Sequence, residues 1–442
     1  MLRVVTALFL AACSTPAPAP APVPAPPARP SAPAASASAP PAMPVAEAPK
    51  PPPQIDPDGN DETASPAVAL PERPRFAKVG RHWSALHRIC DFAERDGVLT
   101  MSHATAPLGY TGATLTRYDP RQKEPFALVF DWNRTGEPET GGAGGQGFLR
   151  IRQIDGRFYV PDADPPYLGL GVGFGVEGYV FTSNAAGRFE PVGRPGHRPP
   201  RGSILLPGAI HVFDVIRFRS TLYASTGAVI PPKATASRSP GVLFAQGDKP
   251  DRWDVAYAYD GAPREAAARL GYMTRFKDRL YVAVSPLYGI DRHDYVVITP
   301  PKETTQLSAE HARAVQVTRS GGAHTLRWYA DRGRLYWITL GADGGELRVS
   351  ADGDRWERLS LPADAGRPTD VLRVGERLLL MAERALLEIG PSGTAVLARV
   401  DDKKSPFALD DGYCAAPLAA FDGRIFVGDQ RRGALWTLEA TP

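Results

Sequence analysis

Two short apolar segments of the chain carry an aspartate at matching positions. The sequence reads Ile-Cys-Asp-Phe at 89–92 and Val-Phe-Asp-Val at 212–215, which gives Asp91 and Asp214 equivalent settings. Carboxylates within apolar segments either coordinate a cation or a polar ligand, or accept hydrogen bonds from neighbouring backbone. The sequence leaves both roles open for these two residues.

Other side chains suited to ligand chemistry occur elsewhere in the chain. The cluster Asp-Arg-His-Asp at 291–294 has residue types that suit a metal, but a site needs a second, spaced His or Cys pair that is absent here. We therefore predict no metal and no cofactor. The candidate ligand-binding residues are His87, Asp91, His103, Asp162, His211, Asp214, Tyr288, Asp291 and His293.

Motifs of known catalytic and nucleotide-binding proteins are missing. The sequence has no Gly-x-Ser-x-Gly elbow, and the glycine-rich segment 141–147 lacks the Lys-Ser/Thr that follows a phosphate-binding loop. The net charge is only +3, and the arginines are scattered among acidic residues rather than gathered in runs. This distribution argues against nucleic acid as a partner.

One local pattern recurs seven times and predicts the elements that position these residues. Each copy has an apolar segment, a two-residue polar or glycine turn and a β-rich run, as expected of a hairpin. The spacings between copies are 59, 64, 58, 55, 43 and 47 residues, which is typical of propeller blades. The copies lie at 96–99, 155–159, 219–223, 277–281, 332–336, 375–379 and 422–426.

The segment 350–356, Ser-Ala-Asp-Gly-Asp-Arg-Trp, resembles a shortened Asp-box of sialidase-like propellers, and 183–189 is a weaker match. The repeat as a whole resembles sialidase-like and kelch-like propellers in architecture only. An Asp-box implies a braced blade turn rather than catalysis. The Arg-Ile-Pro signature of working sialidases is absent.

The ends of the repeat region predict how the ring closes. The last copy, with strands expected at 415–421, 424–429 and 434–439, ends one strand short, and 76–79 could supply that strand. Such closure removes open sheet edges. It also brings Cys90 and Cys414 together, so we expect a disulfide in an oxidising compartment. The fold class is thus all-β, a seven-bladed β-propeller preceded by a disordered proline-rich tether.

In such a ring, the starts of the innermost strands and the loops between second and third strands share one face around the central channel. Ligands usually bind propellers on this face. The candidate residues above are expected on this face. The starts of the innermost strands supply His87, Asp91, His211 and Asp214. The loops supply His103, Asp162, Tyr288, Asp291 and His293.

The first thirteen residues are typical of an export signal. One positive charge at Arg3 precedes a short apolar run that cannot span about 30 Å of hydrocarbon. The sequence Leu-Ala-Ala-Cys at 10–13 resembles the lipobox of bacterial lipoproteins. The resemblance implies cleavage before Cys13 and acylation of that residue. Several acyl chains anchor stably where one does not, and Ser14 favours the outer membrane.

A long segment separates Cys13 from the repeats. Twenty of the 46 prolines lie between 14 and 74, and no aromatic residue occurs between Phe9 and Phe76, so this stretch cannot bury a core. Extended at about 3.1 Å per residue, about 60 residues reach roughly 190 Å. We therefore predict a signal peptide at 1–12, a lipid-anchored linker at 13–74 and the propeller at 75–442.

Two classes of function fit this organisation. The first is a monomeric, non-enzymatic binding or scaffolding module for a protein or glycan, anchored to a membrane by lipid on Cys13 at the outer membrane or cell surface. The alternative is a carbohydrate-active enzyme, glycosidase- or lyase-like, with its acid and base on the channel face. The sequence identifies neither a reaction nor a ligand.

Overall fold

The structure is a computed structural model. It describes residues 68–83, 88–104, 113–132, 147–163, 177–190, 203–227, 239–259, 261, 268–285, 293–301, 307–319, 321–341, 344–401, 404–409 and 414–441. The candidate residues His87, Tyr288 and Asp291 lie outside these ranges, as do Cys13 and the proline-rich segment up to residue 67.

Within the described ranges, 28 strands form seven four-stranded antiparallel sheets, the blades of a propeller. Blade 1 consists of β2 (Arg88–Arg95), β3 (Val98–Ala104), β4 (Thr114–Tyr118) and β5 (Phe126–Asp131). Blade 2 consists of β6 (Arg152–Ile154), β7 (Arg157–Pro161), β8 (Glu177–Thr182) and β9 (Ile204–Pro207). Blade 3 consists of β10 (His211–Phe218), β11 (Thr221–Gly227), β12 (Gly241–Gln246) and β13 (Trp253–Tyr259). Blade 4 consists of β14 (Leu270–Phe276), β15 (Arg279–Val284), β16 (Tyr295–Ile298) and β17 (Ala312–Val315). Blade 5 consists of β18 (His324–Asp331), β19 (Arg334–Gly341), β20 (Gly344–Ser350) and β21 (Glu357–Leu359). Blade 6 consists of β22 (Pro368–Val374), β23 (Arg377–Ala382), β24 (Ala385–Gly390) and β25 (Gly393–Arg399). Blade 7 consists of β26 (Leu418–Phe421), β27 (Arg424–Gly428), β28 (Leu435–Ala440) and β1 (Pro74–Gly80).

Tight turns join the first two strands of the blades. At the first turn, Asp96 and Gly97 have φ angles of 53° and 72°, the left-handed conformation that two-residue hairpin turns require. Pairs of positive φ angles also occur at 155–156, 219–220, 277–278, 332–333 and 422–423. Each copy of the predicted repeat lies at one of the seven hairpins, so the sevenfold repeat is confirmed. We call the face with these turns the lower face, and the face where innermost strands begin the upper face.

Burial decreases from the channel outward. All seven residues of β14, an innermost strand, are buried, whereas the outermost strand β13 exposes several of its side chains. Apolar side chains pack between neighbouring blades. In one such cluster Trp328 and Trp337 stack with ring centroids 5.1 Å apart, beside Tyr281 and Tyr295 of the preceding blade. The core is therefore distributed around the ring.

The turn between β20 and β21 has the bracing contacts that its likeness to an Asp-box implies. The hydroxyl of Ser350 accepts the N–H of Gly353 at 2.7 Å, and a carboxylate oxygen of Asp352 accepts the N–H of Arg355 at 2.8 Å. The Trp356 indole then donates to the Tyr295 hydroxyl at 3.1 Å. The turn thus fastens blade 5 to blade 4.

The ring closes as predicted. Strand β1 pairs antiparallel with β28, with Phe76 opposite Leu438, and supplies the fourth strand of blade 7. Cys90 of blade 1 and Cys414, which precedes the first strand of blade 7, form a disulfide with their Cα atoms 5.2 Å apart. In the described part of the chain, no helix is long and apolar enough to cross a membrane.

Candidate functional site

Equivalent positions of the innermost strands define a ring of side chains within the channel. In each blade this position lies four residues before the last paired residue of the innermost strand. The inner ring, as we call it, consists of Asp91, Arg150, Asp214, Tyr272, Arg327, Asp370 and Pro417. Several members line a central cavity of about 10 Å³, room for about one water molecule.

The three carboxylates of the inner ring accept hydrogen bonds from the neighbouring blade. Asp91 accepts the N–H of Ile151 at 3.0 Å, and Asp214 accepts that of Met273 at 2.8 Å. Asp370 accepts the N–H of Leu418 at 2.7 Å. Each donor directly follows the inner-ring position of the next blade. The aspartates therefore join neighbouring blades.

Arginines balance these carboxylates. Arg152 binds Asp214 with two nitrogens, each 2.8 Å from a carboxylate oxygen. Arg327 lies between two aspartates, with nitrogens 3.2 Å from Asp91 and 2.8 Å from Asp370. Arg150 contributes a longer contact to Asp91, at 3.7 Å. In the described channel, three carboxylates thus face three guanidinium groups.

Burial changes the proton affinity of two of these acids. It raises the pKa of Asp370 to about 6, in opposition to the lowering effect of Arg327, and it raises the pKa of Asp91. A carboxyl group with a pKa near 6 suits general acid–base catalysis. However, Asp370 is 2% exposed and Asp91 is 4% exposed, and both are held by backbone N–H groups. This geometry supports a structural role.

A second polar network lies at the channel mouth, where the innermost strands of blades 3 to 5 begin. His211, Arg269 and His324 each lie three residues before the inner-ring position of their blade. A nitrogen of Arg269 lies 3.1 Å from Nε2 of His211, and Ser285 Oγ lies 2.9 Å from Nδ1 of His324. The N–H of Ser285 donates to the carbonyl of Arg269 at 3.0 Å, which links the two pairs.

The contacts of His211 set its protonation. Its Nδ1 lies 2.7 Å from the carbonyl oxygen of Ala163, so Nδ1 carries the proton and Nε2 accepts from Arg269. Burial, and then the charge of Arg269, lower the pKa of His211 to about 3. The imidazole is therefore neutral at physiological pH. We call His211, Arg269, Ser285 and His324 the mouth network.

The remaining described candidates do not join this network. His103 is buried, with Nε2 2.7 Å from the Thr116 hydroxyl, and burial lowers its pKa to about 3. Asp162 is fully buried, and its carbonyl accepts the N–H of Val212 at 3.2 Å. His293 Nδ1 lies 2.9 Å from the hydroxyl of Tyr259. Among the described residues, no group of three His, Cys, Asp or Glu side chains is arranged to hold a metal ion.

Sequence reasoning did not identify the basic partners or the third inner-ring aspartate. Asp370 lies in the segment Pro-Thr-Asp-Val at 368–371, which aligns with the two segments that contain Asp91 and Asp214. Aligning all seven hairpins would have revealed it. Arg150 and Arg327 occupy inner-ring positions, and Arg269 lies three residues before the inner-ring position of its blade, without any shared local motif. Only the alignment of hairpins singles these arginines out.

Comparison with known proteins identifies the fold. No protein family and no curated protein matches the sequence. The extracellular domain of a proposed one-component system from B. thetaiotaomicron is similar, with a TM-score of 0.50 and 12% identity; the match covers 82% of this chain and 40% of that chain. A catalytically inactive histidine-to-alanine form of virginiamycin B lyase from Staphylococcus aureus, in a structure with quinupristin, has a TM-score of 0.50 and 8% identity, over 83% of this chain and 100% of that one. At these identities the likeness shows the fold alone, that of a β-propeller.

Proposed function

We propose that this propeller is a binding or scaffolding module for a protein or glycan, held in the cell envelope by lipid on Cys13. One observation carries the proposal. In the described channel, the inner-ring carboxylates Asp91, Asp214 and Asp370 are buried and bonded to backbone N–H groups and arginines. They are therefore poorly placed to transfer protons to a substrate, whereas the mouth network offers hydrogen-bonding groups at the channel entrance.

The location is part of the proposal. The lipobox-like sequence at 10–13 and the proline-rich segment would place the propeller at the outer membrane or cell surface, up to roughly 190 Å from the lipid. The similar B. thetaiotaomicron domain is extracellular, which agrees with this proposed location, although the match covers only 40% of the B. thetaiotaomicron chain. A module on a long spacer reaches ligands beyond the membrane.

An enzyme is the second candidate. Its supporting observation is the imidazole of His324 beside the hydroxyl of Ser285, at 2.9 Å, on the face where propellers bind ligands. The similar lyase also depends on a histidine, since its histidine-to-alanine form is catalytically inactive. A glycosidase- or lyase-like activity would need an acid and a base on this face.

The two candidates differ in turnover. Full-length chain with Cys13→Ser, which lacks the acylation site, is screened for binding on protein and glycan arrays and for turnover of glycosidic and lyase substrates. We expect binding without turnover, and weaker binding in His324→Gln than in the control His103→Gln, which alters a buried residue outside the mouth network. Turnover by the parent protein that disappears in a folded His324→Gln variant would overturn the binding proposal.

A further inference from the structure

An exposed tryptophan lies at the upper end of blade 7. The Trp83 side chain is 73% exposed, and in the described part of the chain only Val255 is a comparable large apolar residue on the surface. Val255 belongs to an outermost strand of blade 3. Trp83 instead follows β1, whose last residue, Gly80, lies at the upper face. Large exposed aromatic side chains often mark contact sites.

Arginines accompany this tryptophan. A guanidinium nitrogen of Arg81 donates to the carbonyl oxygen of Arg432 at 3.0 Å, which joins segment 81–83 to the loop between β27 and β28. Arg81, Arg431 and Arg432 are all exposed. The His82 ring lies beside that of Trp83, with centroids 5.3 Å apart. We call Arg81, His82, Trp83, Arg431 and Arg432 the rim patch.

The loop that carries two of these arginines is fixed from below. The carboxylate of Asp429 accepts the backbone N–H groups of Arg431 at 2.5 Å and Arg432 at 2.7 Å, and the Trp436 indole donates to its other oxygen at 3.3 Å. Asp429 is 3% exposed and is the single acidic residue within 81–83 and 429–434. The backbone that carries Arg431 and Arg432 is therefore held in place before any ligand arrives, which lowers the entropy cost of ordering this loop on binding.

We propose that the rim patch binds an acidic saccharide. The indole of Trp83 offers a flat apolar surface on which the apolar face of a sugar ring can stack. Arg431 and Arg432 offer guanidinium groups that pair with a carboxylate or sulfate on the same sugar or on its neighbour. This inference rests on the proposed binding function and specifies the chemical class of its ligand.

Other partners fit the rim patch less well. Stable protein interfaces bury about 800 Å² on each side and involve about 20–30 residues, whereas the rim patch comprises five of the described residues. Peripheral membrane binding relies on an extended apolar face, and the patch has one large apolar side chain. Strand β1 also begins at the lower face, so Pro74 lies at the end of blade 7 opposite the patch.

The experiment uses the full-length Cys13→Ser chain and oligogalacturonate, an acidic saccharide of defined length, in isothermal titration calorimetry. We expect Trp83→Ala to weaken binding at least about tenfold, as is usual for a tryptophan central to a contact. The double variant Arg431→Gln/Arg432→Gln should do the same and reduce the salt dependence of the affinity. Neither change should alter the thermal unfolding midpoint, because Trp83 is exposed and Asp429 holds the arginine loop through backbone N–H groups.

Two matched variants serve as controls. Val255→Ala removes the other exposed apolar side chain, and Arg355→Gln removes an exposed arginine from blade 5. Neither should change the affinity. Oligogalacturonate binding that survives in both rim variants would show that the rim patch is not the binding site, while the proposed binding function would stand. Absence of oligogalacturonate binding, or equal binding of poly-glutamate or anionic vesicles, would overturn the proposal that the ligand is an acidic saccharide. The array screen would then judge the general function separately.

Discussion

Asp214 in blade 3 accepts a hydrogen bond from the backbone N–H of Met273 in blade 4, at 2.8 Å. The same relationship joins blade 1 to blade 2 through Asp91, and blade 6 to blade 7 through Asp370. Neighbouring blades are separate sheets that also meet through side-chain packing and other hydrogen bonds, such as the one from the Val212 N–H to the Asp162 carbonyl. A buried carboxylate at the inner ring therefore adds a directional bond between each of these pairs of blades.

Replacing Asp214 by alanine should destabilise the propeller strongly. The change removes the acceptor for Met273 N–H and the carboxylate that pairs with the buried Arg152. Breaking a buried ion pair from one side costs about 3–5 kcal/mol. Urea unfolding followed by tryptophan fluorescence measures the loss.

Two controls accompany this prediction. Replacing both Asp214 and Arg152 by apolar residues should recover part of the stability, because no unpaired charge remains. Asp364→Ala removes an exposed partner of Arg399 and should cost less than about 1 kcal/mol. An Asp214→Ala loss as small as the Asp364→Ala loss would contradict the role assigned to the inner ring.

The raised pKa of Asp370 predicts a pH dependence of stability. Its pKa is about 6 in the folded protein and about 3.9 in an unfolded chain. The folded state therefore binds a proton more tightly, and the associated stability is present below about pH 4 and lost as the pH rises through about 6. Asp370→Asn abolishes this titration.

The measurement compares the unfolding free energies of wild type and Asp370→Asn from about pH 4 to about pH 7. The wild type should lose on the order of 2–3 kcal/mol relative to the variant over this range. Comparing the two proteins cancels the titration of groups that do not interact with Asp370. A difference that stays constant, or one that grows in favour of the wild type as the pH rises, would refute the raised pKa.

Cys90 and Cys414 should be unreactive as thiols in the native protein. Alkylation of the Cys13→Ser chain, read by mass, should label neither cysteine without reductant and both with it. The bond joins residues 324 apart in the sequence, so its loss in Cys90→Ser/Cys414→Ser should cost up to about 5 kcal/mol if unfolded-chain entropy dominates. Labelling of both thiols in unreduced, freshly purified protein would show that they are not bonded.

Cys13→Ser should release a folded, soluble propeller from the membrane fraction. The acyl chains expected on Cys13 are the predicted anchor, and several chains together bind a membrane stably. Cell fractionation and immunoblotting would detect the change. Serine at the neighbouring position 14 is unaltered in this variant, so sorting signals there remain. Retention in the membrane fraction would place the anchor elsewhere.

The repeat could be predicted from the sequence because the physics of its turns is local. Asp96-Gly97 and Asp422-Gly423 adopt positive φ angles with little cost, and the apolar residues that flank these turns favour strands. The strand expected at 424–429 is observed as β27, Arg424–Gly428. The strand expected at 415–421 begins later, at Leu418, because the preceding Pro417 has no N–H to donate to the ladder.

The candidate site was less predictable because its partners come from distant parts of the chain. Arg327 contacts Asp91, which lies 236 positions away in the sequence. No local sequence pattern indicates that the two residues pair. His103 has a residue type suited to chemistry, yet its burial was not visible in an isolated strand. Only the register of all seven hairpins distinguishes side chains that enter the channel from those between sheets.

The pairing of β1 with β28 determines how the propeller would bear a mechanical load. Tension that reaches Pro74 from the N-terminal side pulls at the lower end of β1, while a ligand held at the upper face pulls the other way. The force then runs along the strands and loads the hydrogen bonds from Pro74–Ala440 to Gly80–Leu435 together, in shear. Peeling would break them one at a time. The strand that completes the ring is thus oriented to resist extraction.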